Sequence, residues 1–312
     1  MPPVHVAAAV IYDDQGRILL TKRGENTHQG GLWEFPGGKL ELGEGVAQGL
    51  QRELKEELGI ELRQHRPLIK NLHHYSDKSV LLDVHLVKDY QGVPQGLEGQ
   101  PLRWVVPSRL SEFSMPEADL PIITAVNLPD SYLITGPDPR QPEQFLGKLQ
   151  KSLESGLRLV QLRAGDIPHQ ELLALGERSL KLCHAYGARM LLNGSPELAK
   201  EMDADGVHLN SNRLMQLRQR PLSKDKLVAA SCHSIAELDH AVDAGLDFAV
   251  LSPVQQTTSH PEATPLGWGN FAAMLENISI PVYALGGMQS DDLAKAWEHG
   301  AQGIAGIGCF WG

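Results

Sequence analysis

Apolar positions along the chain follow two different periods, and the change falls near residue 130. Residues 4–12 form an apolar run, Asp13-Asp14-Gln15-Gly16 interrupts it, and residues 17–21 resume it, a spacing that predicts two strands joined as a hairpin. The glycine-rich stretch Gly30-Gly31-Leu32-Trp33-Glu34-Phe35-Pro36-Gly37-Gly38 leads to a helix over 46–58, where Ala47, Leu50, Leu54 and Leu58 recur at helical spacing and Gly59 takes the C-cap position. Strands are expected over 67–75, 80–88 and 102–105. Strands around one long helix suit a compact α+β fold.

From Asp130 onward, short apolar strands alternate with helical segments, the pattern of βα units around a parallel sheet. Strands are expected at 132–135, 159–162, 189–192, 206–209, 227–230, 248–251, 282–285 and 303–305, which predicts an α/β fold of the (β/α)8 barrel type. Only Trp311 and Gly312 follow the eighth strand region, so the usual last helix is expected to be missing. The stretch Ala125-Val126-Asn127-Leu128-Pro129-Asp130 is the linker candidate, which places a first domain at 1–126, a connection at 127–130 and the barrel at 131–312.

Length and composition agree with two soluble domains, at 312 residues and 42% apolar. No apolar stretch approaches the roughly 18 residues of a membrane-spanning helix. The opening MPPVHVAAAV has no basic segment ahead of its apolar residues, so it reads as a strand, and a cytoplasmic protein is expected. Cys183, Cys232 and Cys309 are scattered, without a C-x-x-C pair, and read as buried thiols. A formal charge of -10 argues against direct nucleic-acid binding. The expected partner is a small molecule, and an anionic one would need a metal ion to bridge it; oligomeric state stays open.

The predicted helix carries that possibility. A step of about 100° per residue places Glu53, Glu56 and Glu57 on an arc about 100° wide. Such carboxylates repel one another. Arg52 and Lys55 soften that repulsion on a solvated face, whereas a divalent cation with hard oxygen ligands resolves it. Gly38, five residues, Glu44, seven residues, then Arg52-Glu53-Leu54-Lys55-Glu56-Glu57-Leu58-Gly59-Ile60 resembles the complete Nudix box. Trp33-Glu34-Phe35-Pro36-Gly37-Gly38-Lys39 and Leu97-Glu98-Gly99-Gln100-Pro101 are similar to its MutT branch, and the likeness runs over residues 4–126.

This resemblance implies hydrolysis of an oxidised nucleoside triphosphate such as 8-oxo-dGTP to monophosphate and pyrophosphate. It implies Mg2+, or Mn2+ in its place, on Glu53, Glu56, Glu57, Glu98 and the Gly37 carbonyl. Arg52 would orient the glutamates, and Glu53 or Glu98 would be the base. Arg23, with Lys22 as second candidate, ends the second strand where a phosphate or sugar contact or a solvated basic strand end both fit. His28, Phe35 and Lys78 match nucleotide-pocket positions. Asp119, in Met115-Pro116-Glu117-Ala118-Asp119-Leu120-Pro121, stands where the MutT segment has the Asn that recognises 8-oxoguanine. Asn donates and accepts, whereas an ionised Asp only accepts. Either Asp119 is protonated or the preferred base differs, 8-oxoadenine being the candidate. His73, His74 and His85 read as strand residues.

In the second half, Gly286-Gly287 and Gly308 follow the seventh and eighth strands, where backbone N–H groups bind phosphate in many barrels; tight turns explain the same glycines. Val160-Gln161-Leu162-Arg163, Ala204-Asp205-Gly206-Val207-His208-Leu209, Ser231-Cys232-His233-Ser234 and Ala284-Leu285-Gly286-Gly287-Met288 resemble landmarks of the thiamine phosphate synthase and TenI family over 131–310. Against that pattern, Asn193-Gly194 and Asn210-Ser211-Asn212-Arg213 lack the metal-binding aspartates. Gly165 and His260 replace lysines, and Pro253 replaces the histidine of TenI proteins. His208 and His233 remain as acid/base candidates or as structural residues. The resemblance leaves three readings: a barrel that has lost its condensation, a bifunctional thiamine-metabolism protein that cleaves a pyrimidine pyrophosphate, and a phosphate-ligand sensor or scaffold.

Overall fold

The computed structural model describes residues 2–25, 28–136, 139–165, 167–257, 262 and 264–311. They divide into two compact units, Met1–Asn127 with Glu276–Ser279 and Leu128–Leu275 with Ile280–Gly312. The first contains β1 (Val4–Ile11), β2 (Ile18–Lys22), β3 (Trp33–Glu34), β4 (Gly37–Lys39), α1 (Val46–Leu58), β5 (Glu61–His74), β6 (Ser79–Gln91), β7 (Leu102–Val105) and α2 (Leu120–Asn127). Its strands make two sheets, β4-β1-β6-β5 and β3-β2-β7.

The expected hairpin is not formed. β1 and β2 lie in different sheets and share only the Tyr12–Ile18 bridge. Both edges of β1 are already taken, by β4 antiparallel and by β6 parallel. Asp13 turns the chain away by accepting the N–H groups of Gln15 and Arg17 and pairing with the Arg17 side chain.

Helix α1 begins and ends where its periodicity predicts. Gly59 takes the left-handed conformation at φ 69° and its N–H closes on the Lys55 carbonyl. Leu50, Leu54 and Leu58 are fully buried with Ala7, Ala9, Ile11 and Leu19. At roughly 1.5–3 kcal/mol per buried leucine, this stripe holds the helix without help from its acidic face.

Helix α2 is a correction to the linker reading, since residues 125–127 are helical and Ile122 and Ala125 are buried in the core that contains Val10 and Phe35. Its sequence is apolar nearly all round, so it shows little amphipathic period. The connection shortens to 128–130, and Leu128 is itself buried in the barrel's core.

The second unit runs β8 (Ser131–Ile134), α3 (Pro142–Glu154), β9 (Leu159–Leu162), α4 (His169–Ala185), β10 (Arg189–Asn193), α5 (Pro196–Glu201), β11 (Gly206–Leu209), α6 (Ser211–Met215), β12 (Leu227–Cys232), α7 (Ile235–Asp243), β13 (Phe248–Leu251), α8 (Gly267–Leu275), β14 (Val282–Ala284), α9 (Leu293–Glu298) and β15 (Gly303–Gly306). The strands β8 to β15 close a parallel barrel. Tyr132, Phe248 and Tyr283 fill its interior, with ring centroids 5.3–5.6 Å apart. Asp205 and Asp247, each just ahead of a strand, accept the N–H groups of Met190 and Val228 in the preceding strand. After β15, residues 307–311 form a turn that packs Trp311 on Phe145. No helix among the described residues is long and apolar enough to cross a membrane.

Candidate active site

Arg52 organises the acidic helix. Its Nε and Nη2 grip Glu44 at 3.0 and 2.9 Å, and Nη2 also reaches the Lys39 carbonyl at 3.0 Å. Its Nη1 holds Glu53 at 2.8 Å and Glu56 at 3.3 Å. A planar fork of five N–H donors suits this task, and a lysine in its place would reach fewer partners. Gly38 lies against Glu53, where a Cβ would come within 2.2 Å of the carboxyl carbon. At Gly37, φ is 145° and a Cβ would meet the Ala7 carbonyl oxygen at 2.1 Å. Close packing on the β1 backbone therefore requires glycine at 37, while Gly38 leaves the room that the Glu53 carboxylate occupies, and the Gly37 N–H donates to Glu57 at 3.3 Å.

A cavity of about 470 Å3 gathers Arg23, His28, Phe35, Gly37, Glu53, Glu57, Lys78, Glu98 and Asp119 on one wall system. Glu56 is not brought there: its side chain is 59% exposed and tied to Arg52. Arg23 is half-buried, pairs with Glu34 and donates to the His28 carbonyl at 2.9 Å, so it is not a free solvated strand end. His28 packs edge-on to Tyr75 at 5.3 Å and stands 3.7 Å from Asp77. Phe35 is buried, and the Lys78 carbonyl accepts the Tyr75 N–H at 2.8 Å. Asp119 does not point to solvent, being only 6% exposed. Asn71 steadies its segment by donating to the Ala118 carbonyl at 2.6 Å.

The sequence reading assigned no role to Glu34, although it lines this cavity and shapes its electrostatics. The available signal was a lone acid between Trp33 and Phe35. Burial, then Glu34 and Glu53, pushes the Glu57 carboxyl up to about 8, against the Gly37 N–H. Burial and then Glu34 also push Asp119 up to about 8, against the pull of Arg23. Glu34 is itself raised by burial, with Arg23 opposing. Carboxyls that retain protons near neutrality mark excess negative charge, and hard oxygen donors fit a divalent cation. No three His, Cys, Asp or Glu side chains converge to metal-binding distance among the described residues.

These shifts set a pH dependence. Between the unfolded-state carboxyl range near pH 4 and the folded value of about 8, the native chain holds protons that the unfolded chain has released. Stability of the metal-free protein should therefore fall as pH rises from 5 to 8. Thermal melts across that range should show a shallower fall for Glu57→Gln and for Asp119→Asn, and curves parallel to wild type would contradict the assignment.

The C-terminal ends of the barrel strands enclose a second cavity, of about 610 Å3. Gln161, Arg163, Asn193, Ser231 and His233 supply polar wall, and no carboxylate is among its described lining residues. Asn210 and Asn212 line it, whereas Arg213 does not. Gly286 lines the cavity, whereas Gly287 and Gly308, the other glycines expected to bind phosphate, do not. A Cβ on Gly286 would meet Pro253 at 2.8 Å, and one on Gly287 the Gln256 carbonyl at 2.4 Å, so backbone packing accounts for both. His260 lies outside the described residues. His208 is buried between the Tyr132 hydroxyl at 3.2 Å and Ser231 Oγ at 2.8 Å, and burial drives it down to about 3, leaving it neutral. Gln161 bonds Tyr132 at 3.3 Å and Asn193 at 2.8 Å, which extends this chain across the barrel. His233 Nδ1 meets the Ser252 carbonyl at 2.9 Å.

Comparison with known proteins adds two families. Residues 7–125 match the NUDIX domain profile, and residues 131–310 match that of thiamine monophosphate synthase. An Aquifex aeolicus protein, named provisionally as a second thiamine-phosphate synthase, is 37% identical over 185 residues, 59% of this chain and 99% of its own length. The Thermus thermophilus thiamine-phosphate synthase is 35% identical over 175 residues, 55% of this chain and 84% of its own. A solved MutT structure, from a study of the Aliivibrio salmonicida and Vibrio cholerae proteins, is 36% identical, with 40% of this chain and 97% of that one covered and a TM-score of 0.36.

Proposed function

The chain belongs to the Nudix family through residues 7–125 and to the thiamine monophosphate synthase family through residues 131–310, and from that premise we propose that it hydrolyses oxidised nucleoside triphosphates, with 8-oxo-dGTP or a related nucleotide as substrate. The observation that carries this reading is a single cavity lined both by Glu53 and Glu57 of α1 and by Phe35 and Asp119. Glu53, Glu57, Glu98 and the Gly37 carbonyl would hold Mg2+ or Mn2+, which when bound neutralises charge on the phosphates. Arg52 keeps Glu53 aimed at the cavity, having engaged one of its oxygens at 2.8 Å. Glu98 reaches the same cavity from the loop after β6 and is our choice of base for the attacking water. Phe35 offers an apolar wall to the base.

Asp119 selects the base edge. Protonated, it offers one donor and one acceptor, as an Asn does; ionised, it accepts only and favours an edge with two donors, such as that of 8-oxoadenine. Burial and Glu34 push its carboxyl up to about 8, so preference for 8-oxo-dGTP should weaken as pH passes that value. Asp119→Asn should raise the ratio of kcat/KM for 8-oxo-dGTP over 8-oxo-dATP by about tenfold at pH 9 and far less at pH 6, the worth of about one hydrogen bond. A ratio unchanged at both pH values would remove Asp119 from base selection.

The barrel's family favours a second reading, in which the same Nudix cavity cleaves a pyrophosphorylated pyrimidine precursor in thiamine metabolism. A panel of oxidised nucleotides and thiamine precursors, assayed for pyrophosphate and phosphate release with Mg2+ and with chelator, separates the two. Turnover of precursors alone would overturn the nucleotide reading.

A further inference from the structure

The segment after β6 returns Glu98 to the end of α1 along a set of directional bonds. Gln95 N–H donates to the Leu58 carbonyl at 3.0 Å and Leu97 N–H to the Glu57 carbonyl at 2.9 Å, capping carbonyls that the helix end leaves open. Gln100 completes the arrangement with both ends of one side-chain amide. Its Nε2 donates to the Glu57 carbonyl at 3.1 Å, and its Oε1 accepts the Glu98 N–H at 2.9 Å. The two partners fix the amide's orientation, because a carbonyl can only accept and a main-chain N–H can only donate. Gln100 also lines the cavity that holds both glutamate side chains.

We propose that Gln100 is a positioning residue that braces the main chain of Glu57 against that of Glu98, so that carboxylates from two separate segments face one metal-binding wall. The inference rests on the metal-dependent reading above and extends it to a residue outside the acidic helix. Leu97 N–H already joins the Glu57 carbonyl to this segment; Gln100 adds a second bond to that carbonyl and alone carries it on to Glu98 itself, which sits in an exposed turn closed by the Gly99 N–H on the Gly96 carbonyl. Groups that orient metal ligands change affinity by about 10–100-fold when removed.

The test measures Mn2+ binding to the full chain directly, from the EPR signal of free Mn2+, alongside thermal melts of the metal-free protein. Gln100→Met keeps the length and deletes both bonds; Gln100→Glu keeps an acceptor for Glu98 N–H but turns an oxygen on the Glu57 carbonyl. Both variants should bind Mn2+ at least about tenfold more weakly. The melting temperature of Gln100→Met should stay within a few degrees of wild type, and added Mg2+ should recover part of its pyrophosphate release. Wild-type Mn2+ affinity in Gln100→Met overturns the proposal. So does a loss of affinity found only in a variant whose melting temperature has collapsed, with Gln100→Glu folded and binding normally. A wild-type chain that binds no Mn2+ defeats the metal reading and this one together. One whose Mn2+ affinity depends on Gln100 but which hydrolyses no nucleotide defeats the nucleotide reading alone.

Discussion

Glu57→Gln should lower pyrophosphate release by about three orders of magnitude at saturating Mg2+, with the fold intact. Charge neutralisation at the phosphates is worth several kcal/mol in the transition state, and each 1.4 kcal/mol is about tenfold in rate. Glutamine keeps the size of the side chain but has no charge with which to hold a cation. Leu50, Leu54 and Leu58 anchor α1, so the helix does not depend on the carboxylate, and removing a crowded acid relieves repulsion from Glu34 and Glu53. Glu53→Gln should be similarly inactive, with Arg52 left paired to Glu44. Rates measured over a Mg2+ series, with a melt for each variant, check both; full activity of Glu57→Gln would sink the hydrolase mechanism proposed for this cavity.

No thiamine phosphate should form when the full chain is supplied with the thiazole phosphate and the pyrimidine pyrophosphate. Departure of pyrophosphate relies on electrostatic stabilisation, most of it from a metal ion. The barrel cavity presents Asn193, Asn210 and Asn212 and no carboxylate among its described lining residues. Amides are neutral and bind Mg2+ poorly without acidic company. Arg163 contributes charge but not metal geometry, and His208 is neutral inside the barrel wall. The relatives named as synthases match the barrel half at 35–37% identity. The assay belongs in a Glu57→Gln background, where the Nudix half cannot consume the pyrophosphate substrate. Product above the uncatalysed rate would restore the synthase reading.

The boundaries of α1 and the eight barrel strands could be read from the chain because both are local properties: a 3.6-residue apolar period closed by Gly59, and short apolar runs at regular spacing. The acidic residues of α1 were legible for the same reason, since their spacing along one helix defines one face. Sheet membership was not local. The sequence joined β1 to β2, but β1 filled both its edges with β4 and the distant β6. Helix α2 escaped notice because apolar residues surround it, and burial of Ile122 and Ala125 rather than period decides it. At the site, the same helical arc carries Glu53 and Glu57 into the cavity and leaves Glu56 outside, because Arg52 and the position of β4 divide the face. The upward shift of the Asp119 carboxyl depends on burial and on Glu34, far away in sequence, and Gln100 meets Glu57 across a gap about half as long. Electrostatic shifts and side-chain braces of this kind act through space over a few ångströms, so only the tertiary structure decides them.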